Sequence, residues 1–69
     1  MKSNKYKDFY ISDYQICSWY YNEHKEELNF FDMYGFLVST INYDMKYFKD
    51  LDKYTEIEQW NCLVDLFGE

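Results

Sequence analysis

The stretch Phe30-Phe31-Asp32-Met33-Tyr34-Gly35-Phe36-Leu37-Val38-Ser39-Thr40-Ile41-Asn42 decides how this chain is read. Its residues Phe30, Met33, Tyr34, Leu37, Val38 and Ile41 recur at the i, i+3, i+4, i+7, i+8 spacing of a helix that turns one apolar stripe to a core. Gly35 lies at the edge of that stripe, where it would let a second helix come close. Val38 and Ile41 also suit a strand, but the period favours the helix.

Both flanks extend the helical reading. Upstream, Ser12-Asp13-Tyr14-Gln15 fits a capping box. Tyr14, Ile16, Cys17, Tyr20, Tyr21, His24 and Leu28 then share one broad helical face, and Asn29 ends that helix or caps the next. Downstream, Asn42 caps a third segment on which Tyr43, Tyr47, Leu51 and Tyr54 share a face, with Phe48 at its edge. Thr55-Glu56-Ile57-Glu58 is a second capping box. It opens a last helix with the stripe Ile57, Trp60, Leu63, Val64 and Phe67, stopped by Gly68. The predicted fold is all-α: a compact bundle of three to four short helices. The alternative is an α+β fold with a short N-terminal strand within residues 5–11.

A chain of 69 residues makes one domain near the lower size limit for folding without staples. The expected organisation is therefore a single small acidic helical domain over residues 1–69, with polar residues 1–7 frayed. Cys17 and Cys62 allow at most one disulfide, which is no framework, so free thiols in a reducing compartment are expected. The lysines of the first seven residues precede no apolar run, and the longest strictly apolar run is Phe36-Leu37-Val38. A cytoplasmic protein is expected (in the host bacterial cytoplasm, if phage-encoded).

Thirteen carboxylates stand against seven lysines, a formal charge of −6. From Asp8 onward, four lysines face all thirteen carboxylates, giving −9. Such a body repels phosphate backbones and anionic membranes and attracts basic partners. Arginine, the residue best suited to bidentate phosphate recognition, does not occur. Proline and alanine are also missing, and an AT-rich coding sequence accounts for that bias.

No residue set points to catalysis, a cofactor or a metal. On one helix, Cys17 and His24 would stand roughly 10 Å apart along the axis, beyond hydrogen-bond reach. Short paired spacings such as C-x-x-C or H-x-x-x-H are absent, as are glycine-rich phosphate loops, G-x-S-x-G and H-E-x-x-H. Both cysteines read as small buried hydrophobes.

Surface features carry the functional reading. Seventeen of the 69 residues are Phe, Tyr or Trp, more than so small a core can bury. On helices, Trp19 falls between Glu23 and Glu26, away from the apolar face, and Phe36 falls beside Asp32. Exposed aromatic side chains rimmed by polar groups are common interface anchors. Glu23, Glu26 and Glu27 form one acidic cluster. Asp44, Asp50, Asp52, Glu56 and Glu58 form a second string. Ordinary solvated faces explain such clusters as well.

The predicted function is a small acidic inhibitor that binds a basic, nucleic-acid-handling protein and blocks its site by steric and electrostatic mimicry. In size and composition it is similar to the phage and mobile-element proteins that block host defence (anti-CRISPR or anti-restriction proteins). Its expected contact residues are Trp19, Glu23, Glu26, Glu27, Phe36, Asp44, Asp50, Asp52, Glu56 and Glu58. Direct binding to nucleic acid or membrane is not expected. Two alternatives are an immunity protein or antitoxin against a basic toxin, and a helical regulatory subunit or homodimer that hides its surplus aromatics in its own interface. A small enzyme built on His24 is a further alternative.

Overall fold

The Asp32–Phe36 segment reverses the chain where the helical reading runs straight through. The Tyr34 and Phe36 N–H groups both donate to Asp32 Oδ1, at 2.9 Å each. The Gly35 N–H donates to the Asp32 carbonyl at 3.1 Å, and the Asp32 N–H to the Phe36 carbonyl at 3.0 Å. Gly35 has φ +81°, a left-handed conformation that glycine adopts without steric cost. The two flanks therefore run antiparallel as strands, and the all-α expectation is incorrect. The computed structural model, which describes residues 5–69, is an α+β fold of five antiparallel strands in two sheets plus two helices. This agrees with the α+β alternative in class. Its N-terminal strand is only the two-residue Tyr10–Ile11.

In chain order the elements are β1 (Tyr10–Ile11), β2 (Tyr14–Gln15), β3 (Ser18–Asn22), β4 (Glu27–Phe31), β5 (Leu37–Asn42), α1 (Met45–Leu51) and α2 (Glu56–Phe67). Strands β1 and β2 form a small hairpin, and β3-β4-β5 form an antiparallel meander. The expected helix from Ser12 is corrected at its first residue. Ser12 and Asp13 take φ values of +50° and +69° and close the two-residue β1–β2 turn. The Ser12–Gln15 box is not formed, because Gln15 pairs with Tyr10 across the hairpin. Asn22, within the same expected helix, turns the chain instead. Its Oδ1 accepts from the His24 and Lys25 N–H groups, at 3.0 and 3.2 Å.

Aromatic and β-branched residues favour the strands that result. The helical spacing in residues 14–41 arises from a surplus of large apolar residues, and turn chemistry overrides it. Farther on, the helical reading matches the structure more closely. The third segment is helical as α1, although its N-cap is Asp44, whose side chain accepts from the Lys46 N–H, and not Asn42. The Thr55–Glu58 capping box is present in both directions at the start of α2. Gly68 follows α2 in an extended conformation, and its N–H donates to the Val64 carbonyl at 2.7 Å.

Strand alternation sorts the meander into two faces. Trp19 and Tyr21 of β3, Leu28 and Phe30 of β4, and Ile41 of β5 point one way, towards the helices. Phe9, Ile16, Leu51 and Leu63 complete the fully buried core with Tyr21, Leu28 and Phe30. Rings interlock it. Phe48 of α1 stacks on Tyr21 at 4.0 Å, and Phe30 meets Phe9 at 5.3 Å and Phe67 of α2 at 5.9 Å. A register shift at Phe30/Phe31 lets Val38 also pack against this core.

The segment before β1 lies along α2. Trp60 Nε1 donates to the Lys7 carbonyl at 2.6 Å, the Lys7 N–H to Asn61 Oδ1 at 2.8 Å, and Asn61 Nδ2 to the Lys5 carbonyl at 2.9 Å. Lys7 Nζ also pairs with Asp65 at 2.7 Å, though both side chains are well exposed. The expectation of a frayed start falls in part on residues 1–4, which lie outside the described residues. Among the described residues, no helix is long and apolar enough to cross a membrane.

Thr55→Ala removes one side of the α2 capping box. Chemical denaturation is expected to show a loss of about 1 kcal/mol without a change in far-ultraviolet circular dichroism.

Candidate protein-interaction surface

Among the described residues, no helix lies on the second face of the meander. Cross-strand register places three rows on it: Ser18–Phe31–Leu37, Tyr20–Asn29–Thr40 and Asn22–Glu27–Asn42. The middle row is tied together. Thr40 Oγ1 donates to Asn29 Oδ1 at 2.8 Å, and Asn29 Nδ2 donates to the Tyr20 carbonyl at 3.4 Å. The rows grade from apolar at the β4–β5 turn to polar at the β3–β4 turn.

Beyond the apolar row, the β4–β5 turn projects Met33, Tyr34 and Phe36, with Leu37 at its base. Their exposures are 67%, 77%, 70% and 57%. An exposed apolar group of this kind costs solvation free energy in the isolated chain, which makes it a candidate contact surface. The Asp32 side chain fixes the turn that carries it, so little ordering entropy remains to be lost on binding.

At the opposite end, the β3–β4 turn and the start of α1 come together. The Tyr43 N–H donates to the Glu26 carbonyl at 2.9 Å. Glu26 holds φ +53°, a strained value for a residue with a side chain. Burial, and then the nearby carboxylates of Glu26, Asp44 and Glu23, raise the pKa of Tyr21 above its usual 10.0. The Tyr21 hydroxyl donates to the Tyr43 carbonyl at 2.6 Å, a bond that needs the neutral phenol. Tyr43 is raised by burial first, then by its neighbours Cys62, Asp50 and Tyr47. A shallow depression of about 580 Å³ here is lined by residues including Lys25, Glu26, Asp44 and Tyr47.

The structure thus brings Glu23, Glu26 and Asp44 to one end of the sheet, with Glu27 half-buried at the start of β4 beside them. It places Phe36 at the other end. Trp19 is not an exposed anchor between glutamates. It is half-buried, meets Phe48 edge-on at 6.1 Å and lines an open cleft of about 460 Å³ with Tyr6, Trp60 and Glu56. Asp50 faces Lys53 at 3.6 Å, Asp52 is the C-cap of α1, and Glu58 accepts from Thr55 in the capping box. The expected acidic string is therefore divided among three helix ends, with Asp44 at the start of α1, Asp50 and Asp52 at its end, and Glu56 and Glu58 at the start of α2. Tyr20, Phe31, Met33, Tyr34 and Leu37 had no place among the expected contact residues. The signal that would have exposed them is the pair Asp32 and Gly35, read as a turn.

Chemistry-bearing residues do not converge. Cys17 precedes β3 and His24 follows it, so the strand, roughly 3.3 Å per residue, holds them apart. This replaces the separation expected along a helix. Burial, and then Asp65, push the Cys62 thiol up, which disfavours the thiolate that nucleophilic chemistry requires. Among the described residues, no group of three or more His, Cys, Asp or Glu side chains is placed to hold a metal ion.

Two outcomes test this geometry. Asp32→Ala is expected to cost about 1 kcal/mol and to speed amide hydrogen exchange at Tyr34 and Phe36, since both lose their shared acceptor. Folding favours the neutral forms of Tyr21 and Tyr43, so their contribution to stability is complete below pH 10.0 and is lost as the pH rises from there through the higher folded-state values. An ultraviolet absorbance titration is expected to show late-ionising tyrosines, which Tyr21→Phe and Tyr43→Phe each reduce.

No family model, curated protein or solved structure matches this chain, so its own surface carries the functional argument.

Proposed function

We propose that this chain is a non-catalytic protein-binding domain that inhibits a basic partner protein by covering its surface. The observation that carries the reading is the uncovered sheet face with its fixed apolar tip of Met33, Tyr34, Phe36 and Leu37. Large aromatic side chains anchor interfaces because each removes much apolar area from water with few rotatable bonds, and methionine adds an adaptable, polarizable contact.

Charge selects the partner. The net charge of −6 and the gathered Glu23, Glu26 and Asp44 favour a surface rich in lysine and arginine. Nucleic-acid-handling proteins present such surfaces, and an inhibitor of the anti-defence kind would occupy one. In this arrangement the apolar tip supplies most of the affinity. The acidic end sets orientation and association rate. Both cysteines are unpaired, in keeping with a cytoplasmic setting.

Immobilised protein exposed to host lysate at low and high salt tests the proposal. The expected captured protein is basic. Phe36→Ser is expected to reduce its retention at both salt concentrations. A Glu23→Gln, Glu26→Gln, Asp44→Asn triple variant is expected to reduce retention at low salt only. Capture of an acidic protein, or undiminished capture by Phe36→Ser, overturns the reading.

A further inference from the structure

Strand β5 is an edge strand, and beyond the bulge at Val38 it carries no charge or proline to guard it. Natural sheets protect such edges with lysine, proline, short length or covering segments. Here Leu37-Val38-Ser39-Thr40-Ile41-Asn42 is six residues long and contains neither a charge nor a proline. Its ladder partner is β4 alone, and among the described residues no backbone hydrogen bond joins it to a further segment. The neutral stretch is wider than the strand. Residues 33–43 carry no charge in a chain where 29% of residues are charged.

Like charge limits which surfaces of two copies can meet. Each chain carries −6, so approach through most faces opposes carboxylate to carboxylate. We infer that β5 pairs antiparallel with β5 of a second copy about a two-fold axis, joining two meanders into one continuous six-stranded sheet. Side-chain alternation restricts the register. Residues directly opposite must point to the same face, so the axis passes through a residue position, and Thr40, on the uncovered face and central to the regular stretch Ser39–Ile41, meets Thr40 of the second copy. Ser39 then lies opposite Ile41, both on the covered face, and the extra residue Val38 ends the regular pairing at the bulge. Asp44 reaches only Phe36, so no carboxylate faces another across the seam. The two uncovered faces form one two-fold surface, with an apolar tip beside each end of the seam. Strand β3 is the other edge of the meander. It is one residue shorter, and the aromatic cleft bounded by Tyr6 and Trp60 lies beside its start.

This assembly does not depend on the basic-partner reading, and its test uses purified protein alone. Sedimentation equilibrium of the wild type, across a wide concentration range, is expected to give twice the 8.7 kDa chain mass. Thr40→Lys opposes two ammonium groups across the axis without entering the core. It is expected to weaken the dimer at least tenfold while circular dichroism stays unchanged. Thr40→Glu is expected to behave alike, and an equimolar mixture of the two variants is expected to restore the dimer. A wild type that stays monomeric throughout overturns the inference. So does a dimer that survives Thr40→Lys but is lost in Tyr20→Lys, which places the seam at β3.

Discussion

The ring of Phe30 lies between Phe9 and Phe67, 5.3 and 5.9 Å away, and so joins the segment before β1, the central strand and the last helix. Phe30 and Leu28 are both fully buried on the same face of β4. Every other layer is arranged around that pair. Helix α1 contributes Phe48 and Leu51, α2 contributes Leu63 and Phe67, and the flanking strands contribute Tyr21 and Ile41. Two helices of seven and twelve residues have enough apolar surface for one side of a three-stranded sheet. The second side is left to water or to another protein. The uncovered face follows because, among the described residues, both helices lie on one side of the sheet.

That constraint also explains the aromatic surplus. Of the seventeen rings, eight remain exposed: Tyr6, Tyr10, Tyr14, Tyr20, Tyr34, Phe36, Tyr47 and Tyr54. Seven of them are tyrosines, whose hydroxyl can stay hydrated while the ring offers apolar area. The buried rings use their edges. Phe9 meets Trp60 and Trp19 meets Phe48 edge-to-face, which lets large side chains fill a small volume with favourable quadrupole contacts.

Helix α2 was legible in the sequence because two independent signals coincide there, the reciprocal Thr55–Glu58 cap and the stripe ending at Phe67. Helix α1 was legible as a helical segment, with its cap displaced to Asp44. Residues 12–42 were not. Aromatic and aliphatic residues are so frequent there that both a helical and an alternating pattern can be drawn through them, and periodicity alone cannot decide. Local backbone chemistry decides instead: the Ser12-Asp13 turn, the Asn22 turn and the Asp32–Gly35 reversal. The candidate surface was legible only in part. Glu23, Glu26 and Asp44 do assemble, and Phe36 is exposed. The companions of Phe36 had been assigned to a helical core, and Trp19 to an open helix face.

The two-residue repeat of β3, β4 and β5 places what holds the fold and what is left uncovered on opposite sides of the same three strands. Substitutions at Tyr20, Asn29, Phe31, Leu37 or Thr40 change the presented surface, while Trp19, Tyr21, Leu28, Phe30 and Ile41 retain the packing. A chain divided in this way can change the chemistry of its outward face by a few replacements at small thermodynamic risk. The economy of a single covered face thus becomes evolvability on the face left bare.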